Sequence, residues 1–132
     1  MSEDVRVRHL DGDRFAIAVR NHTVLVDQPL DAGGADTAPT PTELFVGSLA
    51  ACVAFYAGRY LSRHGYQRDG LRVRAEFEMA SDRPARVSSV RLILRPPARF
   101  PAERVPALLA VAAGCTVHNS INTEPDITIT VE

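Results

Sequence analysis

Two cysteines, Cys52 and Cys115, are the side chains of this 132-residue chain best suited to redox chemistry. A thiolate can attack peroxide oxygens, disulfides and electrophilic carbon atoms. The polar N-terminal stretch MSEDVRVRHLDGDR has no apolar segment typical of a secretion signal, which predicts a soluble, cytoplasmic protein. In a reducing cytosol, two cysteines are either inert core thiols or a working redox pair, and the residue types alone leave both alternatives open.

The surroundings of Cys52 can be predicted from helical spacing. Phe45, Phe55, Tyr56 and Arg59 lie three, four or seven positions away, so they share a helix face with Cys52. A thiol among aromatic rings stays protonated unless a cation or hydrogen-bond donors stabilise the thiolate. Cys52 would lie about three turns into the helix, beyond the effective range of the helix dipole. An activating arginine is therefore expected.

Arginine supplies every basic residue, since all 15 are arginine and lysine is absent. A cation beside the reactive sulfur would thus be a guanidinium or a protonated histidine. Arg59 can approach Cys52 because long helical side chains lean toward the helix N-terminus. Arg14 and Arg20, from the N-terminal strands, are equally eligible.

Cys115 follows Gly114 and precedes a short helical pattern, which predicts a sulfur at a helix N-terminus with His118 on the same face. The Cys-x-x-His spacing also suggests zinc, but a structural zinc site needs about four ligands and the chain has no second paired motif. No metal is therefore predicted. Spacing alone does not show whether the two cysteines meet.

The first half of the chain reads as strands followed by a long helix. Alternating residues 5–9 and 15–26 predict a sheet of two or three strands, and Asp27–Pro41 predicts a long exposed loop. Thr40 and Glu43 form a capping box that begins a helix of roughly 24 residues. Because its first part is apolar all round, this helix is predicted to be central and buried. The apolar part is too short to favour a membrane span.

The second half predicts two antiparallel strands, LRVRAEFEMA and VSSVRLILR, then a short helix over Pro101–Ala113 and a further helical turn from Cys115 to Ile121. The final segment DITITVE alternates as a strand would. The pattern indicates a single α+β domain over residues 1–132, with antiparallel sheets around a long central helix. A net charge of −1 gives no overall positive field for nucleic acid or an anionic membrane surface.

Two motifs resemble those of the OsmC/Ohr family. The segment PTPTELFVGSLAACVAFYAGRYLSRHG is similar to the family signature P-x-E-L-(x)n-A-A-C, and GCTVHNSI is similar to its C-P-V-H motif. The resemblance implies the OsmC-like fold and an intertwined homodimer, in which two long helices pack centrally and each active site lies at the subunit interface.

The same resemblance implies a thiol peroxidase that reduces organic hydroperoxides. Cys52 would attack the peroxide and become a sulfenic acid, and Cys115 would resolve it as a disulfide. A dithiol, such as the lipoyl group of a partner protein, would reduce that disulfide, and no cofactor is implied. Phe45, Phe55 and Tyr56 suit a pocket for an alkyl group, although core packing accounts for them equally well.

Two positions depart from the family pattern. Thr42 stands where characterised peroxidases of the family have a glutamate that pairs with the activating arginine, and Thr116 replaces the usual proline. Glu43 is the candidate replacement, but a shift of one helical residue rotates a side chain by about 100°. The Thr42 departure therefore also supports an alternative, a non-peroxidatic binding or sensing protein with a reactive Cys52.

Overall fold

The computed structural model describes residues 3–132, which form five strands, three α-helices and two short 3-10 helices. The α-helices and strands are β1 (Arg6–Asp11), β2 (Arg14–Val19), β3 (His22–Val26), α1 (Pro41–Arg63), β4 (Arg72–Met79), β5 (Val87–Arg95), α2 (Val105–Ala113) and α3 (Thr116–Asn122). The predicted α+β class is confirmed. The described residues group into two compact units, which divide after residue 45.

The first unit contains a three-stranded antiparallel sheet in the order β1-β2-β3. Ile17 at the centre of β2 pairs with Val7 on one side and Val24 on the other. The predicted N-terminal sheet is thus confirmed with three strands. Arg20 lies in the tight turn between β2 and β3 and has a φ of 52°, a left-handed conformation typical of such turns.

The loop after β3 is organised by Asp27, which is only 1% exposed. Its carboxylate accepts hydrogen bonds from the backbone N–H groups of Gln28 and Thr37, at 2.7 and 3.0 Å, and from the Thr37 hydroxyl at 2.8 Å. The backbone donor of Thr37 contributes most to lowering the pKa of Asp27 from 3.8 to about 2, against the opposing effect of desolvation. The loop was predicted to be exposed, so this buried anchor was not foreseen.

Gly34 lies in the same loop, at a position that has no room for a side chain. A Cβ atom at this position would lie 2.1 Å from the carbonyl oxygen of Gln28 and 2.8 Å from Oδ1 of Asp27. The clash is with backbone and with the anchoring carboxylate, which cannot move aside as a flexible side chain could. Glycine is therefore required for the loop to close around Asp27.

The predicted capping box at the start of α1 is confirmed. The backbone N–H of Glu43 donates to Oγ1 of Thr40 at 3.0 Å, and the backbone N–H of Thr40 donates to Oε1 of Glu43 at 2.8 Å. These bonds satisfy two backbone donors that the helix itself leaves unpaired. α1 then continues for 23 residues, close to the predicted length.

The second unit has its core where α1 packs against α2, the residue before α3, and the β4-β5 hairpin. The buried cluster consists of Leu49, Val53, Ala57, Tyr60, Leu61, Leu108, Ala112 and Cys115. Val73, Leu92 and Leu94 of the two antiparallel strands cover it. The predicted strand pair and the helix ending at Gly114 are both confirmed, and the predicted turn after Cys115 is α3.

Burial of α1 within the single chain is one-sided. Seven of its residues are buried, whereas Phe45 and Phe55 are 42% and 54% exposed. By length and composition alone the helix could also cross a membrane. Core helices of soluble proteins share these properties, and the packing of α1 against α2 and the hairpin is that of a core helix.

The prediction of a last strand over DITITVE is wrong for the single chain. Among residues 3–132, the structure assigns no strand after β5. Ile127, Ile129 and Val131 are 77%, 92% and 98% exposed. The segment has the alternation of a strand, but a strand also needs a neighbouring edge with which to form hydrogen bonds. Within the described part of the chain it pairs with none.

Candidate active site

The structure brings Cys52 and Cys115 together. Both are free thiols, and Cys52 packs against the buried cluster that contains Cys115 and contributes to raising the pKa of the Cys115 thiol. Cys52 is half-buried on α1, whereas Cys115 is 0% exposed within the core cluster. The two sulfurs can therefore interact directly, and the less buried Cys52 is the one that a reagent can reach.

Cys115 is the N-cap residue of α3, as its sequence context predicted. Its sulfur accepts a hydrogen bond from the backbone N–H of His118 at 3.4 Å. Burial raises the pKa of the Cys115 thiol and the adjacent Cys52 raises it further, while the His118 N–H acts in the opposite direction. Cys115 is thus held as a protonated thiol, which suits it poorly to make the first attack on a substrate.

A second contact joins the same two helices. The hydroxyl of Tyr56 lies 2.7 Å from the hydroxyl of Thr116. Tyr56 is one turn after Cys52 on α1, and Thr116 directly follows Cys115. The thiol contact and the hydroxyl contact therefore bridge α1 and the start of α3 side by side. The residues are 60 positions apart, so nothing in the sequence pattern indicated this pair.

A cleft of about 390 Å³ opens beside Tyr56 on the second unit. Its walls are formed by Phe55, Tyr56, Arg59, Tyr60, Arg63, His64 and Val111. The guanidinium of Arg59 lies over the Phe55 ring, 4.8 Å from the ring centroid, in a cation–π contact. The cleft combines aromatic walls with cationic groups, and it adjoins the side chain that links the two cysteine-bearing helices.

The other predicted site residues lie in the first unit. Glu43 is engaged in the capping box, and Arg20 occupies the β2-β3 turn. Arg14 donates to Asp11 at 2.7 Å and to the hydroxyl of Thr37 at 3.1 Å. The roles predicted for Glu43, Arg20 and Arg59 in activating a thiolate stay predictions.

His118 is held by its own backbone surroundings. Its Nδ1 lies 2.9 Å from the carbonyl oxygen of Ala113 and so carries the proton of that hydrogen bond. Within residues 3–132, no group of three or more histidine, cysteine or acidic side chains is arranged to hold a metal ion.

Comparison with known proteins adds the family. The family model described as OsmC-like protein matches residues 33–130, about three quarters of the chain. The chain belongs to the OsmC-like protein family. The resemblance seen in its two cysteine motifs is thereby confirmed. No match was found among curated protein sequences.

Solved structures share the OsmC-like fold with this chain. A protein from Psychrobacter arcticus 273-4, described as an osmotic stress induced and detoxification response protein, superposes with a TM-score of 0.82 at 24% identity, covering 91% of this chain and 88% of that one. An organic hydroperoxide resistance protein OsmC from Legionella pneumophila superposes with a TM-score of 0.68 at 17% identity, covering 89% of this chain and 88% of that one. The organic hydroperoxide resistance protein OhrB of Bacillus subtilis superposes with a TM-score of 0.66 at 16% identity, covering 94% of this chain and 93% of that one. At these identities the likeness concerns the fold.

Proposed function

We propose that this protein is a thiol-dependent peroxidase that reduces organic hydroperoxides. The observation that carries the proposal is the pairing of a half-buried Cys52 with a fully buried Cys115. Membership of a family that includes organic hydroperoxide resistance proteins supports the same activity.

The proposed reaction takes place in two steps on the two sulfurs. The Cys52 thiolate attacks the terminal oxygen of the hydroperoxide, the O–O bond breaks, and the alkoxide leaves as an alcohol after taking a proton, so that Cys52 becomes a sulfenic acid. The Cys115 thiolate then attacks the Cys52 sulfur, a disulfide forms and water leaves. A dithiol reductant, such as the lipoyl group of a partner protein, restores both thiols by exchange.

The division of labour between the cysteines follows from their surroundings. A substrate must reach the first sulfur, and only Cys52 of the pair is partly exposed. Cys115 needs no access to solvent because its target is the neighbouring sulfur. Phe55 and Tyr56 on the cleft beside α1 supply apolar surface suited to an alkyl or aryl hydroperoxide.

Homodimer formation is part of the proposal. The exposed apolar residues of α1, including Phe45 and Phe55, and the alternating Ile127, Ile129 and Val131 are surfaces that a monomer would leave in water. A second copy of the chain would cover them, with the C-terminal segment adding a strand to a sheet edge of its partner. Sedimentation equilibrium distinguishes a dimer of two 14.4 kDa chains from a monomer.

One stoichiometric experiment tests the proposed chemistry. Reduced protein is mixed with one equivalent of cumene hydroperoxide, and the products are analysed by intact-mass and peptide mass spectrometry. The expected product is a Cys52–Cys115 disulfide, whereas Cys115→Ser should accumulate a dimedone-reactive sulfenic acid on Cys52. Unchanged thiols in wild-type protein after prolonged exposure would refute the peroxidase proposal.

A second candidate function is the capture or sensing of a small apolar or electrophilic ligand on Cys52. It is favoured by Thr42 at the position of the family's glutamate and by the engagement of Glu43 in helix capping. This alternative predicts that Cys52 reacts with alkylating reagents while peroxide turnover with a dithiol is negligible. Rapid turnover would eliminate it.

A further inference from the structure

The hydrogen bond between Tyr56 and Thr116 lies next to both cysteines. Tyr56 follows Cys52 by one helical turn, so both side chains project from the same face of α1. Thr116 is the first residue of α3 and directly follows the N-cap Cys115. The hydroxyl–hydroxyl distance of 2.7 Å is that of a well-formed O–H···O hydrogen bond.

We propose that this hydrogen bond positions Cys115 for attack on the Cys52 sulfur, an inference that rests on the redox role proposed for the two cysteines. Tyr56 and Thr116 are positioning residues, since neither hydroxyl takes part in the bond changes. Their contact fixes the first turn of α3 against α1 and thereby holds the Cys115 sulfur beside its target.

The structure of α3 explains why such a tether matters. The helix has seven residues, too few to be stable by itself, and none of them is buried. The Cys115 sulfur is itself a cap of this helix through the His118 N–H, at 3.4 Å. To attack Cys52, the sulfur must lose its proton and leave that cap. A tether at Thr116 keeps the attacking atom close while the first turn rearranges.

Loss of this hydrogen bond should slow one of the two thiol reactions and spare the other. Removing either hydroxyl should slow the step in which Cys115 attacks, by about five-fold for the loss of one neutral hydrogen bond. In Thr116→Val the preceding reaction of Cys52 with diamide should be unaffected, because Thr116 does not line the cleft and Cys52 remains on the intact α1. Tyr56→Phe is judged on the second step alone, because Tyr56 also lines the cleft. A general loss of structure would slow both steps or lower the folded fraction, so the separation of the two rates identifies positioning.

The test uses diamide, an azodicarboxamide reagent that oxidises pairs of thiols to disulfides without a peroxide. The Cys52 thiol adds across the N=N bond, and Cys115 then displaces the resulting hydrazine, which takes up the proton as the S–N bond breaks and the disulfide forms. At high diamide concentration the second, intramolecular step limits the rate. Rapid acid quenching followed by mass spectrometry measures both steps in full-length protein.

The informative variants are Tyr56→Phe and Thr116→Val, each of which removes one hydroxyl and keeps most of the side chain. Both should lower the limiting rate about five-fold, and the double variant should be no slower than either alone because all three lack the same bond. Thr116→Ser should restore the rate. Tyr66→Phe is the matched control, since Tyr66 packs against Phe100 away from this contact.

The outcomes separate this inference from the proposed function. Wild-type rates in folded Tyr56→Phe and Thr116→Val overturn it, as does a double variant whose loss equals the product of the single losses. If wild-type protein fails to react with cumene hydroperoxide, the peroxidase proposal fails, but the limiting rate with diamide still decides whether the two hydroxyls position Cys115.

Discussion

The capping box at Thr40 and Glu43 allows the structural role of Glu43 to be separated from a catalytic one. Thr40→Ala removes the acceptor of the Glu43 N–H, and loss of such a cap should lower the free energy of unfolding by about 1 kcal/mol. Glu43→Gln keeps an oxygen that can accept from the Thr40 N–H and removes only the charge near the helix N-terminus. Its expected cost is about 0.5 kcal/mol or less. Thr42→Ala, two residues further on, is the matched control.

Urea unfolding at fixed protein concentration measures these differences, and peroxide turnover is measured on the same samples. We expect Glu43→Gln to retain turnover within about two-fold, because the Glu43 carboxylate accepts the hydrogen bond of the capping box and glutamine keeps that acceptor. A stable Glu43→Gln protein that is about ten-fold slower or worse, a loss of at least about 1.4 kcal/mol of transition-state stabilisation, would refute this reasoning. Glu43 would then be the replacement for the family's missing glutamate.

Three further predictions concern stability and pH. Leu108→Ala should lower the free energy of unfolding by about 2–5 kcal/mol because Leu108 is 0% exposed. Leu109→Ala is the matched control: Leu109 is 49% exposed, so its loss should lower the free energy of unfolding by about 1 kcal/mol or less. Urea titration of both variants measures the difference. Because the pKa of Asp27 falls from 3.8 to about 2 on folding, its carboxylate stabilises the protein fully above roughly pH 5 and progressively less toward pH 2. The stability difference between wild type and Asp27→Asn should shrink over that range, and a constant difference would contradict the assignment. Since burial raises the pKa of Cys115, the rate of the disulfide-forming step should still be rising with pH at about pH 9, as stopped-flow measurements across the alkaline range would show.

Local signals predicted most of the fold. The alternation in the β4 and β5 segments, the capping box at Thr40 and the glycine at position 114 each specify a structure within a few residues, and each was located correctly. The last segment, 126–132, shows the limit of such signals. Its alternation is as clear as that of β4, but an alternating pattern does not identify the edge to which a strand would bind.

The site was less predictable than the fold because it depends on contacts between distant positions. Cys52 and Cys115 stood out by residue type, but their approach depends on how α1 packs against the start of α3. The Tyr56–Thr116 bond and the burial of Asp27 arise from the same long-range packing. Helical spacing did associate Arg59 with the aromatic residues around Cys52, and the structure places its guanidinium over Phe55.

Steady-state turnover of cumene hydroperoxide with dihydrolipoamide decides whether the protein is a peroxidase that uses both cysteines. Wild-type protein, Cys52→Ser and Cys115→Ser are compared at equal concentration. We expect sustained turnover by wild type, none by Cys52→Ser, and loss of disulfide-dependent turnover in Cys115→Ser with sulfenic acid remaining on Cys52. Wild-type protein no more active than Cys52→Ser would contradict the account and favour ligand capture at Cys52.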